Sequence, residues 1–426
     1  LERRPDMGAW LGENVFALVV RVAGLEGLGL LVALVAAATL FVVHSFALRR
    51  TQDEAAALLA AAFAAACSIQ RWRGRPDIFS ILLFFLMLTM LEWPAGRRRR
   101  FGLFGLVVLW MNLHPGAIVA PLFIAARAFG DRGLRLAADA RATFGDAALA
   151  LVALSMTPWG PLESIELVRL TMATGPLVSE WRALWDQPFL DATGSLFGAQ
   201  GREQVLMLAL LGFVLWTRPR RRLLIDLGGL ALALRSVRLL SMATPVFVSA
   251  LATVARPRRR PLLLALAAVL LIAFPIAERW HWYRKTAARG DSPFVALYAP
   301  HYPVAAADFI ADHRLEGRLF HPVRWGGYLG WRLAPRNRSA HDGRISLWGA
   351  ERAAHMEDFL EPARREALRR ELGFEILVLP PGLLRREEEA ALGGRWLLVT
   401  ADPVAAVYVD AKGEHAGHNL DRLRPR

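Results

Sequence analysis

Apolar residues in this chain come in long runs rather than in narrow helical stripes. Val15–Val22 is short and amphipathic and reads as a segment lying along a membrane interface. Leu25–Phe46 is nearly free of charge and about as long as a helix must be to cross a bilayer. Further runs follow at Ala55–Ile69, Ile78–Leu91, Phe101–Leu113, Ala117–Phe129, Ala147–Met156, Gln204–Trp216, Leu223–Leu234, Leu239–Val254 and Leu262–Ile276. Several fall short of the roughly 20 residues of a full span, so flanking residues must extend them or some re-enter the membrane. After Ile276 charged and apolar residues mix. Pro303–His313 and Glu361–Leu372 read as helices there, Arg318–His321 as a short strand, and Glu375–Leu379, Trp396–Thr400 and Ala405–Val409 as buried strands. The pattern predicts an α-helical polytopic membrane protein with about ten transmembrane segments over residues 1–276. An α/β domain over residues 277–426 completes it.

Charge adds an orientation. The formal net charge of +14 invites a nucleic-acid reading. The arginines, however, sit in short gaps between the apolar runs, where they set membrane orientation instead, so no nucleic-acid partner is expected. The clusters Arg49–Arg50, Arg97–Arg100, Arg127–Arg141, Arg218–Arg222 and Arg256–Arg260 all fall in alternate gaps. By the positive-inside rule that face is cytoplasmic. The other face then holds the N-terminus, Gln70–Asp77, Asn112–Gly116, Thr157–Arg202, Arg235–Arg238 and everything after Ile276, which makes the C-terminal domain extracytoplasmic. Lysine occurs only at Lys285 and Lys412 beside abundant arginine, a usage typical of a GC-rich bacterial genome, so the expected location is a bacterial cytoplasmic membrane. Cys67 is the single cysteine, which excludes an internal disulfide.

Candidate chemistry lies on the outer face. Arg71, Arg73 and Arg75 share one turn, and Arg235 and Arg238 another. Guanidinium groups bind phosphate oxygens in pairs and stay charged, so both turns suit a lipid-linked phosphate or pyrophosphate. The plain alternative is that these arginines snorkel to lipid headgroups or pair with Asp77 and Glu180. The outer carboxylates are Asp6, Glu13, Asp77, Glu163, Glu166, Glu180, Asp186 and Asp191, any of which could act as a general base toward an acceptor hydroxyl or simply cap a helix. Glu180, in Ser179-Glu180-Trp181, and Glu13, near Trp10, stand out because aromatic neighbours desolvate carboxylates. His114, in Asn112-Leu113-His114-Pro115-Gly116, breaks a long apolar run and is either functional or part of a capped helix end. No glycine-rich phosphate loop, HExxH, CxxC or Gly-x-Ser-x-Gly pattern occurs. His281, His301, His313, His321, His341 and His355 lack metal-ligand spacing. The cofactor stays open, a divalent cation included, with no ligand motif in view.

The order Arg75-Pro76, Asn112-Leu113-His114-x-Gly116, Pro158-Trp159-Gly160, Ser179-Glu180-Trp181 and Arg238…Pro245 resembles bacterial multi-spanning membrane glycosyltransferases of the GT-C type. Trp325-Gly326-Gly327-Tyr328-Leu329, Trp331, Pro335 and Asp342-Gly343-Arg344 are similar to the terminal domain of that group. The resemblance implies transfer of a sugar from a polyprenyl-phosphate-linked donor to an acceptor of the cell envelope. The lipid bilayer, that lipid-linked sugar and an acceptor not further specified are the implied partners. It also implies an essential acidic residue in the first outer loop. The chain opens at Leu1 and reads as beginning partway through that loop, which leaves Glu13, Asp6 or Glu180 as candidates for the base. Two other readings compete: a non-catalytic scaffold whose outer domain binds envelope partners, and a transporter or flippase of lipid-linked sugars. A transporter should carry internal repeats and charges near mid-membrane, and neither is visible in the sequence.

Overall fold

A computed structural model describes residues 9–68, 71–129, 136–162, 165–166, 169, 208–214, 216–217, 223–235, 237–254, 260–269, 302–340, 359–383 and 394–423. The chain divides into two compact units, Met7–His281 and Trp282–Arg426. The first is helical and the second carries a small sheet between helices.

The helical unit opens with α1, Trp10–Thr51, which is two helices joined at Gly24. There φ is 65° and ψ is −167°, a backbone region open to glycine and closed to side chains by steric clash. The break separates the amphipathic run from the long apolar one, as their compositions require. The lower arm ends with Arg49 and Arg50 in its last turn, where positive charge favours the helix C-terminus. Helix α2, Glu54–Ser68, is built from alanine and is buried almost all round. Its small side chains let α1, and the later helices α8 and α9, pack close on several sides.

Helices α3 (Ile78–Met90) and α4 (Arg97–Leu113) follow, then a 3-10 turn (Pro115–Val119) leading into α5 (Ala120–Arg127), and α6 (Ala140–Ala153). The 97–100 cluster, expected in a gap between spans, forms the first turn of α4. Beyond these come α7 (Leu223–Arg235), a second 3-10 turn (Val237–Ala243), α8 (Thr244–Val254) and α9 (Arg260–Ala268). The turn after α7 doubles back so closely that a Cβ on Gly229 would meet the Met242 carbonyl oxygen at 2.3 Å. Aromatic pairs knit the core, with Phe63 stacked on Phe247 at 4.3 Å and Phe84 edge-on to Phe123 at 5.0 Å. Among the described residues one helix, α1, is long and apolar enough to cross a membrane, and Glu54–Ser68, Ile78–Met90, Pro115–Arg127 and Leu239–Thr253 are shorter apolar helices. Flanking residues do extend α4 back to Arg97 and α6 back to Ala140, yet both stay short of the roughly 20 residues of a full span, and prolines such as Pro76, Pro94 and Pro115 lie at the breaks between helices.

The second unit contains α10 (Val304–Asp312), β1 (Arg318–Phe320), a 3-10 turn (Val323–Trp325) continuing into α11 (Gly326–Leu333), α12 (Pro362–Leu372), β2 (Phe374–Leu379), β3 (Trp396–Ala401), β4 (Ala406–Asp410) and α13 (Ala416–Leu423). The strand order is β1-β2-β4-β3, with β1 parallel to β2 and the other pairs antiparallel. Alternation divides the core between two faces. Ile376, Val378, Val407 and Val409 pack with Ile310, Trp325 and Leu329, whereas Leu377, Leu379 and Tyr408 pack with Phe320, Phe359 and Leu368. The strand expected to be buried at Trp396–Thr400 is instead an edge strand with Leu397 and Leu398 exposed. Asn337 is buried and donates to the carbonyls of Leu315 and Gly317, so it is a bracket between chain segments.

Candidate functional site

The turn at residues 71–77 is tightly wound. The Arg73 amide donates to the Arg71 carbonyl at 2.8 Å and the Arg75 amide to the Arg73 carbonyl at 2.7 Å. Both arms of α1 touch this turn. A Cβ on Gly12 of the upper arm would lie 2.8 Å from Pro76 Cβ and 2.5 Å from the Leu113 carbonyl oxygen. A Cβ on Gly74 would lie 2.9 Å from Leu28 of the lower arm. Phe16, Val32, Val35 and Ile78 fill the space between, with Trp72 against them. The arginine turn therefore sits in the elbow that Gly24 makes possible.

Within the turn the three arginines differ. The Arg71 guanidinium forms a largely buried ion pair with the Asp77 carboxylate, so its charge is compensated inside the protein. That pairing is one of the two plain alternatives for these arginines, and it holds for Arg71. Arg73 and Arg75 are exposed on the same turn. Glu13, in the residue after Gly12, is exposed on the arm that packs on Pro76. The elbow thus brings one candidate carboxylate and two candidate phosphate ligands to the same end of the unit.

His114 meets this end from α4. Its Nδ1 accepts from the Gly116 amide at 3.0 Å, which caps the 3-10 turn. Ser80 Oγ lies 2.7 Å from the same nitrogen and in turn accepts from the indole N–H of Trp110 at 2.8 Å. A nitrogen that accepts the amide proton carries none of its own, so the Ser80 hydroxyl donates to it and the neutral ring holds its proton on Nε2. The chain Trp110–Ser80–His114–Gly116 is packed without slack: a Cβ on Gly116 would meet Ser80 Oγ at 2.5 Å. Beside it the Trp10 indole donates to Asn112 Oδ1 at 2.7 Å, the Asn112 amide donates to the Met156 carbonyl at 2.8 Å, and Trp159 stands edge-on to Trp10. These contacts gather the N-termini of α1 and α3 and the C-terminal ends of α4 and α6.

The remaining expected residues are placed elsewhere or not described. Asp6 and Glu180 lie outside the described residues. Arg235 is the exposed last residue of α7, which packs on α5 and α8. Arg238 belongs to the 3-10 turn Val237–Ala243, and its side chain lies outside the described set.

The opposite end of the same helices holds a charge network that the sequence reading did not single out. Arg99 is fully buried and donates through Nε to Asp146 (2.9 Å), through Nη1 to Asp139 (2.7 Å) and through Nη2 to Thr143 (3.0 Å). Arg100 shares Asp146 at 3.1 Å, and Arg127 approaches Asp139 at 3.8 Å. Burial pushes the Asp139 carboxyl up, but the Arg99 hydrogen bond and the Arg127 and Arg99 charges outweigh it and hold the group below the usual carboxylate range. Arg50 reaches Glu92 at 3.3 Å, and Arg98 stacks over Trp93 at 4.7 Å, both at this end. The signal in the sequence was an acidic pair two helical turns apart, Asp139 and Asp146, downstream of a basic run.

In the second unit the ligand-type atoms of Glu375, Glu414 and His415 lie within 4.8 Å of one another. The Glu375 carboxylate accepts from the His415 amide at 2.9 Å, and the His415 ring nitrogen lies 3.1 Å from the same oxygen. This is the start of α13, whose amide end favours an anion, so the carboxylate acts as a cap supplied from a neighbouring strand. Neither models of known protein families nor characterised proteins give a match to this chain.

Proposed function

We propose that the chain is a multi-pass protein of a bacterial cytoplasmic membrane that transfers a sugar from a polyprenyl-phosphate-linked donor to an envelope acceptor. The membrane part of this reading is supported by apolar side chains on the outside of a unit that is already apolar inside. Leu18, Val22, Leu30, Leu34 and Phe41 of α1, Phe101 and Leu109 of α4, Leu151 and Val152 of α6, and Leu262 and Leu264 of α9 are exposed. Helices apolar all round fit a hydrocarbon surrounding better than water. Arg50, Arg97–Arg100 and Arg127 gather at one end, an arrangement that supports a cytoplasmic face there and an outer side for the 71–77 turn at the other end. By the same alternation the C-terminal unit is outside.

One observation carries the chemistry: the α1 elbow seats the arginine turn against the arm that bears Glu13. Transfer from a phosphate-linked donor needs a carboxylate to take the acceptor proton and cations to hold the leaving phosphate as its charge grows. Glu13 suits the first role, and Arg73 with Arg75 suits the second. Arg71 supports the turn through Asp77 instead. The test is binding of a polyprenyl-phosphate analogue by the full chain in detergent. Lysine keeps the charge but loses the planar two-pronged donor, so Arg73→Lys or Arg75→Lys should weaken binding about ten- to a hundredfold, the value of a charged hydrogen bond of about 1.5–3 kcal/mol. Unchanged affinity in both variants would reduce the turn to a headgroup anchor.

A further inference from the structure

Helices α4 and α6 run side by side from the arginine end to the tryptophan end, and both present an apolar stripe outward. On α4 the exposed positions are Arg97, Arg98, Phe101, Gly105 and Leu109, spaced as one helix face. On α6 and the turn after it they are Arg141, Phe144, Ala148, Leu151, Val152 and Met156. Phe101 is 67% exposed and Leu151 60%, so these are open apolar surfaces among the described residues.

The two stripes are locked in register at both ends. At one end Arg99 of α4 binds Asp139, Thr143 and Asp146 around the start of α6. At the other end the Asn112 amide of α4 holds the Met156 carbonyl at 2.8 Å, and Trp10 joins through Asn112 and Trp159. Each stripe is capped by exposed arginine, Arg97 and Arg98 or Arg141, and by the Trp10–Asn112–Trp159 group. Arginine and tryptophan at opposite ends of an apolar band mark the two interfaces of a bilayer. From Phe101 to Leu113 a rise of about 1.5 Å per residue gives roughly 18 Å, and the helical part of the α6 band is shorter. A bilayer core is about 30 Å thick. Pro94–Gly96 before α4 and His114-Pro115 after it stop the helix, so its band cannot lengthen.

We propose that the α4–α6 face is a lipid-contact surface matched to a thinned bilayer, drawing the two leaflets together beside the arginine turn. This rests on the membrane reading above and adds to it a short hydrophobic thickness. A band of this length meets thin membranes without exposing apolar surface or burying its capping arginines, and meets thick ones only by deforming them.

The experiment reconstitutes the full chain into vesicles of dimyristoleoyl, dioleoyl or dierucoyl phosphatidylcholine, confirms insertion by flotation after alkaline wash, and follows thermal unfolding by circular dichroism. The midpoint should be highest in the shortest lipid and fall as the chains lengthen. Arg97→Leu with Arg98→Leu extends the α4 band by one turn, about 6 Å for four residues, and should move the optimum to the dioleoyl lipid. Arg141→Leu makes the same test on α6 should the double variant not fold. A wild-type optimum in the dioleoyl or dierucoyl lipid, or one that neither variant shifts, overturns the proposal while leaving membrane insertion standing. Failure to float with any of the three lipids overturns the membrane reading itself.

Discussion

At the scale of single residues the chain is most sensitive where no atom can be added. Gly24 occupies a backbone region closed to side chains, so Gly24→Ala should destabilise the helical unit by about 1–3 kcal/mol and open the elbow around residues 71–77. Unfolding in detergent measures the first effect, and a loss of lipid-phosphate binding larger than the stability loss explains would show the second. Arg99 is sensitive for a different reason. Its guanidinium is buried with every nitrogen engaged, and Arg99→Met removes the buried partner of Asp139, Thr143 and Asp146, leaving Asp146 to Arg100 and Asp139 to Arg127, a change worth about 3 kcal/mol. A loss below about 1 kcal/mol in the same unfolding measurement would contradict that account. The network also sets a pH dependence. The Asp139 carboxyl titrates below its ordinary range in the folded state, so its contribution is present above the unfolded pKa and is lost as pH falls through the lower, folded value. Unfolding midpoints followed from neutral pH downward should therefore drop more steeply in wild type than in Asp139→Asn.

These residue-scale features also show where sequence reading stops. A boundary near Gly24 was legible, because the amphipathic run Val15–Val22 and the apolar run Leu25–Phe46 differ in kind, but the glycine's role in it was not. Ser80 was not, since a lone serine in Ile78–Leu91 gives no hint that its hydroxyl bridges Trp110 and His114 across two helices. Arg99 was read as one of four loop charges, because a charge run looks solvated until a partner helix is placed beside it. Arg71 and Arg73 look alike in the sequence, and only the fold turns one toward Asp77.

At the scale of elements, breaks between helices followed from composition and their ends did not. Apolar runs located α2, α3 and α4, but α4 starts four residues earlier than its apolar run because arginine is a good helix former. β3 was read as buried from its apolar residues, yet a strand at the end of a sheet leaves one side uncovered whatever its composition. The alternation of helix ends makes its own prediction. Arg98→Cys should react with an impermeant thiol reagent only from the cytoplasmic side, and Lys412→Cys only from outside. Labelling of both from one side would overturn the orientation.

At the scale of the whole molecule, the second unit has its own core on both faces of its sheet, which is the requirement for folding alone. A fragment beginning after Asp291 should be soluble and unfold cooperatively on heating, and a fragment that stays unfolded would tie its stability to the helical unit.

The strand order β1-β2-β4-β3 sets a timetable for synthesis. β4 is the last strand made, yet it lies in the middle of the sheet, between β2 and β3. Until it leaves the ribosome, β2 lacks an inner neighbour and β3 has nothing to pair with. Helix α13, whose start Glu375 of β2 caps, comes later still. Every apolar helix of the first unit is therefore made before the terminal unit can close. A stop codon before Ala406 removes a central strand rather than a tail, and should leave a terminal segment that proteases clear.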